Sequence, residues 1–547
     1  MVITTDTTFV PGTYMLPNGV HIGASGVTLD LNGATLLGTA FTNAGVTCLG
    51  HDDVVIRNGA AAMYYYGVRI ESGSNITVES CVLSGNYVDP ASKGPTPPFL
   101  NINVGPVIPN FTNLGGGLYA RAVDGALIRD NVLRDQENGI DGYTVTNSTI
   151  CGNDASDNTG WGIHLNGSTN NLIDDNIADR CTRIGLGDSA GLLLVMGSHD
   201  NTITGNSFRH SGDGFFIGNE NGCPSNDNLV AGNDGSNAGA NAFEATFSSG
   251  NRFLGNTANA SNYGFWLGYS HSGTEVSGNE IRANNTSGIE IEHGQDNVII
   301  GNTIIGNGGS AIVLRTDNVV HFPAGRFPCL ALPNQAASSG YEVRDNIIKS
   351  NFGRGFDFTN TTASAITNNL VAANAGGSAS SNGAGNTWSV APTPGVNIVG
   401  GPTLGGNYWS EYAGVDRDAD GLGDTLVPFT NGGQIAAPGD PHPLIGDPEI
   451  DPFDNPMSLC SLAWVDYGRN RRTNGAPFDT ANGTHFATDG VDLLLLEGTN
   501  DSRLSRFNPA TLRYDALANA PEAVWDGGDL QWAGLRYFAT VGIAFDV

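Results

Sequence analysis

Short runs of alternating apolar and polar residues, separated by turns rich in asparagine and glycine, are the main pattern of this chain. Two examples are residues 162–166 (GIHLN) and residues 288–292 (GIEIE). A period of two predicts β-strands, and runs of three to five residues are too short for helices. The pattern therefore predicts many very short strands joined by tight turns.

An asparagine recurs about every 23 residues through the middle of the chain, at Asn131, Asn153, Asn176, Asn206, Asn233, Asn256, Asn279, Asn302, Asn346 and Asn369. Three longer steps each contain an extra loop, at residues 181–189, 220–225 and 317–340. A fixed period in this range indicates stacked repeats that share one core. We predict an all-β fold, a right-handed parallel β-helix whose rungs lie about 4.8 Å apart. Its asparagine side chains would hydrogen-bond along the stack.

Two other repeat folds fit less well. The consensus of a leucine-rich repeat is absent, and a propeller blade needs about twice this period. The β-helix is predicted over residues 1–449, with a proline-rich insert at 88–113 that must loop out. From residue 450 the period is lost, and residues 450–547 predict a small β appendage with kelch-like stretches such as 489–498 (DGVDLLLLEG).

Composition narrows the range of partners. The chain has 24 Lys and Arg against 54 Asp and Glu, a net charge of −30, which disfavours nucleic acid as a partner. The same charge argues weakly against a densely sulfated or uronate-rich polymer. No apolar run reaches the length of about 18 residues expected of a membrane span.

The strands of one face predict a line of outward side chains, which we name the outward column. In each run the apolar positions face the core and the intervening positions face out. Stacking in register gives these pairs: Arg69 and Glu71, Tyr119 and Arg121, Asp141 and Tyr143, His164 and Asn166, Leu193 and Val195, Phe216 and Gly218, Glu244 and Thr246, Trp266 and Gly268, Glu290 and Glu292, Val313 and Arg315, Asp357 and Thr359. Aromatic rings stack on sugar faces, and carboxylates transfer protons and bind hydroxyl groups. This composition therefore indicates a groove that binds a polysaccharide.

Three glutamates of the column are the candidate catalytic residues. Glu244 and Glu290 lie two rungs apart, about 9.6 Å by backbone, and Glu290 and Glu292 are about 7 Å apart at Cβ. Either pair can reach the separation of inverting glycosidase carboxylates, roughly 6.5–9.5 Å. The residues expected to bind substrate beside them are Trp266, Tyr269, Arg315 and Asp357. The plainer interpretation is that these are solubilising surface acids beside scattered aromatics.

A second cluster suits a lyase, which needs a base near an arginine and sometimes Ca²⁺ to neutralise a uronate. Asp141, His164 and Arg121 sit on adjacent rungs and offer those groups, as further substrate-binding candidates. Between the two clusters, Leu193 and neighbouring apolar residues indicate that something packs on the column: an appendage, another subunit or a substrate.

A run of aspartates at 416–424 (DRDADGLGD) predicts a structural Ca²⁺ site. Alternating Asp416, Asp418 and Asp420, followed by a glycine, match the start of an oxygen-ligand calcium loop. Val427 stands where an EF-hand has its bidentate glutamate, so Asp424 must complete the site.

The segments 385–388 (GNTW), 394–402 (PGVNIVGGP), 405–410 (GGNYWS) and 416–424 resemble the closing segment of NosD-like right-handed β-helix proteins. The resemblance covers residues 1–446 and is strongest in the closing segment, 385–446. It implies an exported protein, extracellular or in the cell envelope. NosD-like proteins are accessory factors for copper-site assembly, but their fold is that of carbohydrate-binding and sugar-hydrolase β-helices. The 10 His and 5 Met are dispersed, so no copper site is expected.

Cysteines add one open possibility, since Cys223 and Cys329 both lie in inserted loops and a disulfide can join them.

The first functional interpretation is an exported β-helix that binds a polysaccharide and cleaves it, as a glycoside hydrolase or a lyase. One alternative is a non-catalytic surface, filament or adhesion protein that assembles, as a homo-oligomer or with a surface, through its appendage. The other is a NosD-type accessory factor.

Overall fold

The computed structural model describes residues 1–86, 115–182, 189–218, 223–270, 273–317, 336–446 and 448, and the backbone of six strands between residues 485 and 540. The chain forms two compact units, Met1–Asp454 and Asn455–Val547. In the first unit the described chain winds through parallel strands on three faces, which we name sheets 1, 2 and 3.

Sheet 1 has 15 strands in the described chain: Val2–Ile3, Val20–Ile22, Ala44–Leu49, Tyr66–Glu71, Gly116–Asp124, Asn138–Thr146, Trp161–Asn166, Ala190–Val195, Asp213–Gly218, Asn241–Thr246, Tyr263–Gly268, Ile289–Glu292, Ile312–Arg315, Phe356–Thr359 and Ala379–Ser381. Sheet 2 has 14: Thr7–Thr8, Thr28–Asp30, Val55–Arg57, Thr77–Glu79, Leu127–Arg129, Thr149–Cys151, Leu172–Asp174, Thr202–Thr204, Leu229–Ala231, Arg252–Leu254, Glu275–Ser277, Val298–Ile300, Glu342–Arg344 and Ala365–Thr367. Each strand pairs with the strand one turn later, which confirms the predicted parallel β-helix.

Sheet 3 is formed by two stacks that isolated bridges connect: Thr13–Met15, Thr35–Leu37 and Ala60–Ala62, then Glu280–Arg282, Thr303–Ile305, Ile347–Lys349, Leu370–Ala372 and Tyr408–Trp409. Two elements of the closing segment are a pair of antiparallel strands, Thr393–Pro394 and Thr403–Leu404, and the 3-10 turn Asn431–Gly433. Among the described residues, no helix has the length and hydropathy of a membrane span.

The apolar positions of successive rungs stack into one core. Phe243 lies on Phe265 with ring centroids 5.0 Å apart and an interplanar angle of 13°, and Phe253 packs edge-on against both. All three rings are fully buried. Because one rung buries little apolar area alone, the core is stabilised only by this continuous stacking.

The asparagine ladder is confirmed, and it runs inside the helix. Asn256 donates from Nδ2 to Oδ1 of Asn279 (3.1 Å) and to the carbonyl of Val230 (2.9 Å). Its own Oδ1 accepts the backbone N–H and the Nδ2 of Asn233. Two further ladders occupy other corners: Asn171, Asn201, Asn228 and Asn251, and Asn284, Asn307, Asn351 and Asn374. Such ladders satisfy corner N–H and C=O groups that the strands leave unpaired.

The closing segment covers the end of the core with aromatic rings. Trp409 lies 5.7 Å from Trp388 and 5.1 Å from Phe429, measured between ring centroids. Buried Asp440 accepts hydrogen bonds of 2.8 Å each from the backbone N–H of Asn407 and from Nε1 of Trp409. Burial raises the pKa of Asp440 to about 6. These contacts close the helix.

The second unit contains two antiparallel sheets in its described strands: His485–Thr488, Leu493–Leu496, Leu504–Asn508 and Arg513–Ala516 in one, Asp529–Ala533 and Arg536–Thr540 in the other. The kelch-like stretches predicted there, like the insert at 88–113, fall largely outside the described residues. Cys223 is disulfide-bonded, and its predicted partner Cys329 is outside the described residues. The other described cysteines are free: Cys48, Cys81, Cys151 and Cys181.

Candidate functional site

The register of sheet 1 assembles the outward column in the predicted order. Phe216 pairs with Glu244, Glu244 with Trp266, and Trp266 with Glu290. Phe265 and Leu267, which flank Trp266 in its strand, are fully buried, so the indole points away from the core. The side chains of consecutive rungs therefore meet on one outer face.

Trp266 is partly exposed and lies over its own strand. A Cβ atom placed on Gly268 would come within 2.7 Å of Cη2 and 2.9 Å of Cζ3 of the indole. The missing side chain at Gly268 is what allows the ring to lie there. The indole ring of Trp266 thus lies between the rungs of Glu244 and Glu290.

Glu290 and Glu292 share one arginine of the next rung. Nη2 of Arg315 lies 2.9 Å from Oε1 of Glu290 and contacts Oε1 of Glu292, while Ser287 Oγ donates to Glu290 Oε2 at 3.0 Å. Both carboxylates are buried. Burial is the main cause that raises the pKa of Glu290, and Arg315 opposes it. The nearest oxygens of the two carboxylates lie within about 6 Å of each other because both bind one nitrogen.

Glu244 and Asp357 are partly exposed on either side of this pair. Nδ2 of Asn241 binds the Glu244 carboxylate and donates at 3.1 Å to Oδ1 of buried Asp213. Asp357 lies one rung beyond Arg315, in the position of Val313, with Arg354 Nη1 at 3.7 Å from its Oδ2. The carboxylate-rich end of the column therefore runs over five rungs.

Tyr269 occupies a different environment from the column. It has a left-handed backbone (φ 55°) at the turn after its strand and is buried. Its ring stacks between Phe247 (4.6 Å) and His293 (5.0 Å), whose Nε2 lies 3.0 Å from Oδ1 of Asp317. Both faces of Tyr269 are covered, so its ring is not presented as a stacking surface.

At the other end of the column, Asp141 and His164 form a buried pair. Nδ1 of His164 lies 2.8 Å from Oδ1 of Asp141, and Nε2 of His164 is buried without a hydrogen-bond partner among the described residues. Burial and then the Asp141 charge raise the pKa of Tyr143 well above its usual value. Arg121, predicted to serve this cluster, instead binds Glu71.

Four tyrosines line this end, of which only Tyr119 and Tyr143 were predicted to lie in the outward column. Ring centroids are 4.8 Å apart for Tyr65 and Tyr66, 4.8 Å for Tyr66 and Tyr119, and 5.6 Å for Tyr119 and Tyr143. Tyr65 and Tyr66 were missed because they precede the alternating residues of their strand. The run of three tyrosines at residues 64–66 was the sequence feature that could have indicated them.

Between the two ends lies an apolar cluster on the outer side of sheet 1, formed by Trp161, Ala190, Leu193, Val195 and Phe216. Its members are buried although they do not belong to the main core. Met196 packs against them. The column is therefore divided into a tyrosine end and a carboxylate end.

The aspartate loop brings together three of its four predicted ligands. One carboxylate oxygen each of Asp416, Asp418 and Asp420 lies within 4.8 Å of the others. Asp424 is not among them and accepts the backbone N–H of Arg417 at 2.6 Å. The charge of Asp420 is the main cause that raises the pKa of Asp418. Among the described residues, this is the one group of acidic, His or Cys side chains close enough to hold a metal ion.

Two family models match the sequence. The family described as "Periplasmic copper-binding protein (NosD)" matches residues 2–182 and 329–414, and "Right handed beta helix region" matches residues 110–258. No curated protein matches the chain significantly.

Solved β-helix structures resemble the chain only distantly. The A-module of mannuronan C-5 epimerase AlgE6 from Azotobacter vinelandii is 13% identical, with 70% of this chain and 90% of that chain covered and a TM-score of 0.36. A double mutant of the periplasmic alginate epimerase AlgG is 14% identical, with 65% and 78% covered and a TM-score of 0.37. The Dettilon tailspike protein is 15% identical, with 64% and 59% covered and a TM-score of 0.33.

Proposed function

Because the chain is a NosD-like right-handed parallel β-helix protein, we propose that it is exported to the cell envelope or beyond and binds a polysaccharide along the outward column. We also propose that it cleaves this polymer at the carboxylate end. One observation carries the proposal: partly exposed Trp266 is held in register between Glu244 and Glu290. A rigid ring flanked by carboxylates offers a stacking face for a sugar and acceptors for its hydroxyls.

Hydrolysis needs one protonated carboxyl and one carboxylate. Glu290 fits the acid because its pKa is raised, so it holds a proton to a higher pH than an exposed glutamate. It would protonate the glycosidic oxygen. Glu244 lies two rungs away, with about 9.6 Å between the backbones of the two residues. It would take a proton from the water that attacks the anomeric carbon. Glu292 would hold Arg315 in place beside Glu290, and Arg315 and Asp357 would bind sugar hydroxyls.

Trp266→Ala is expected to weaken polysaccharide binding about 30-fold, about 2 kcal/mol, as central aromatic residues do at binding surfaces. Affinity for a panel of neutral and acidic polysaccharides measures the effect. Phe352→Ala is the matched control, since Phe352 is an exposed aromatic outside the column. Unchanged affinity in Trp266→Ala, or no binding to any polymer, would favour the non-catalytic surface or adhesion alternative.

A lyase is the second candidate, and the buried pair of Asp141 and His164 favours it. With its Nδ1 proton donated to Asp141, His164 keeps a lone pair on Nε2, the group that would accept the proton at C5 of a uronate. Because Nε2 is buried, the rings of Tyr143 and Trp161 that pack against the imidazole would have to move for a sugar to reach it. The product distinguishes the two reactions. A lyase releases an unsaturated sugar that absorbs in the ultraviolet, whereas a hydrolase releases only a reducing end.

Copper, named in the description of the NosD family, does not fit the donor groups of the described residues. The aspartate loop offers only oxygen donors, whereas copper sites use histidine, cysteine or methionine. His164 and His293 are each paired with an aspartate instead. The aspartate loop therefore gives no support for copper binding, and a NosD-type accessory factor stays an alternative on the family match alone.

Calcium suits the aspartate loop, and we propose that Asp416, Asp418 and Asp420 bind it, with Asp424 orienting the backbone of Arg417. The thermal midpoint of the protein is expected to rise in millimolar Ca²⁺ and to fall in chelator. Asp418→Asn should remove this response, because it takes away a ligand and relieves the repulsion from Asp420. Asp130→Asn, at an exposed corner, should leave it intact. A wild type indifferent to Ca²⁺ would contradict the site.

A further inference from the structure

At the tyrosine end of the outward column, two arginines share one carboxylate. Glu71 is bound by two arginines: Nε of Arg69 donates to Oε1 at 2.5 Å, and Nε of Arg121 donates to Oε2 at 3.0 Å. Burial raises the pKa of Glu71, but hydrogen bonds from both arginines hold it below the usual value, so Glu71 is ionised. Glu71 therefore contacts both guanidinium groups, while the charge of buried Asp141 also acts on this end of the column, since it adds to burial in raising the pKa of Tyr119.

The carboxylate end has the opposite arrangement, because Glu290 and Glu292 share the single Arg315. A ligand that lies along the face would meet two arginines at one end and the carboxylates of the glutamates at the other. A polymer that carries a carboxylate at the tyrosine end matches this polarity.

A cavity of about 450 Å³ opens at the same place. Its described lining includes Phe41, Asn43, Tyr65, Tyr66, Arg69 and Tyr119. The volume is in the range of small-ligand sites, and aromatic walls with one charged group are their usual composition. Burial raises the pKa of Tyr65 and of Tyr119 to about 12, so their hydroxyls stay protonated and can donate hydrogen bonds at neutral pH.

We propose that this cavity is a binding subsite for a sugar residue that bears a carboxylate. The inference rests on the proposed polysaccharide function and specifies its substrate class. Arg69 would bind the carboxylate, the rings of Tyr66 and Tyr119 would contact the sugar face, and tyrosine hydroxyls would donate to its oxygens. One localised carboxylate is compatible with an acidic protein, whereas a densely charged polymer would be repelled elsewhere.

Matched ligands test this inference directly. Trisaccharides of galacturonate, mannuronate and glucuronate are each compared with their methyl esters, which keep the sugar and remove the charge. At least one free acid should bind about tenfold more tightly than its ester. Arg69→Gln should remove that preference, and Arg129→Gln should preserve it, since Arg129 is equally exposed (46% against 45%) but pairs with Glu79 on sheet 2.

The Glu71→Gln variant distinguishes an effect of local charge on binding from a loss of local structure. It raises the local positive charge, so it should strengthen binding of the free acid, opposite to the effect of Arg69→Gln. Weaker binding in both variants, or no preference of the wild type for any free acid, would overturn the subsite. If neutral oligosaccharides still bind through Trp266 in that case, the proposed polysaccharide function stands while the subsite falls. If no sugar binds at all, both fall.

Discussion

A Glu290→Gln variant is expected to cleave the polysaccharide about a thousandfold more slowly while it binds the polymer with nearly unchanged affinity. Glutamine keeps the size of Glu290, its oxygen can still accept from Arg315 and its amide can donate to the Ser287 hydroxyl, but it has no acidic proton to give to the glycosidic oxygen. Sugar release by the wild type and by the variant is measured at a saturating concentration of the polymer that binds best. The ratio of the two rates gives the effect of the substitution.

The pH dependence of wild-type activity tests the same role of Glu290 as general acid. A general acid works only while protonated, so activity should decline as the pH rises through the raised pKa of Glu290. Glu275→Gln is the matched control, because Glu275 also pairs with an arginine, Arg252 at 2.8 Å, but on sheet 2. Equal loss in both variants, or full activity in Glu290→Gln, would exclude Glu290 as the acid.

An Asn256→Ala variant should lose about 4 kcal/mol of unfolding free energy. Alanine removes four buried hydrogen bonds, those of the Asn256 side chain to the Val230 carbonyl, to Oδ1 of Asn279, and from the backbone N–H and Nδ2 of Asn233. Oδ1 of Asn279 still accepts the backbone N–H of residue 256, and Nδ2 of Asn233 still donates to the carbonyl of Ile203. Each lost hydrogen bond costs about 0.5–1.5 kcal/mol, so four of them cost about 4 kcal/mol. Chemical denaturation of the full chain measures the loss.

Asn285→Ala provides the comparison on the neighbouring turn. Asn285 is exposed, and its substitution should change stability by less than about 0.5 kcal/mol. If both variants unfold at the same denaturant concentration, the ladder does not stabilise the helix in the way described. A loss confined to Asn256→Ala ties stability to the buried side-chain hydrogen bonds rather than to asparagine content.

Features set by backbone register were predictable from the sequence. Because a 23-residue period fixes which strands pair, it also fixes that Glu244, Trp266 and Glu290 lie side by side, as they do. The stacking of the asparagine ladder follows from the same period, since a repeated corner places the same polar group on itself, whereas its inward direction is seen only in the structure.

Features set by side-chain direction were not predictable. Register puts Arg315 opposite Glu292, but only its rotamer brings it to Glu290 as well. Arg121 turns toward Glu71 of the preceding rung rather than toward Asp141. Tyr269 follows its strand in sequence, yet a left-handed turn rotates it into a buried stack. These choices depend on rotamers and local turns that a pattern of apolar positions does not encode.

The most direct test of the central claim, that the outer face of sheet 1 is the polysaccharide site, is a crystal structure of the Glu290→Gln variant with the oligosaccharide that binds most tightly. We expect sugar rings on Trp266 and an oxygen of the scissile linkage beside residue 290. Sugar bound to another face of the β-helix, with Trp266 uncovered, would contradict the account.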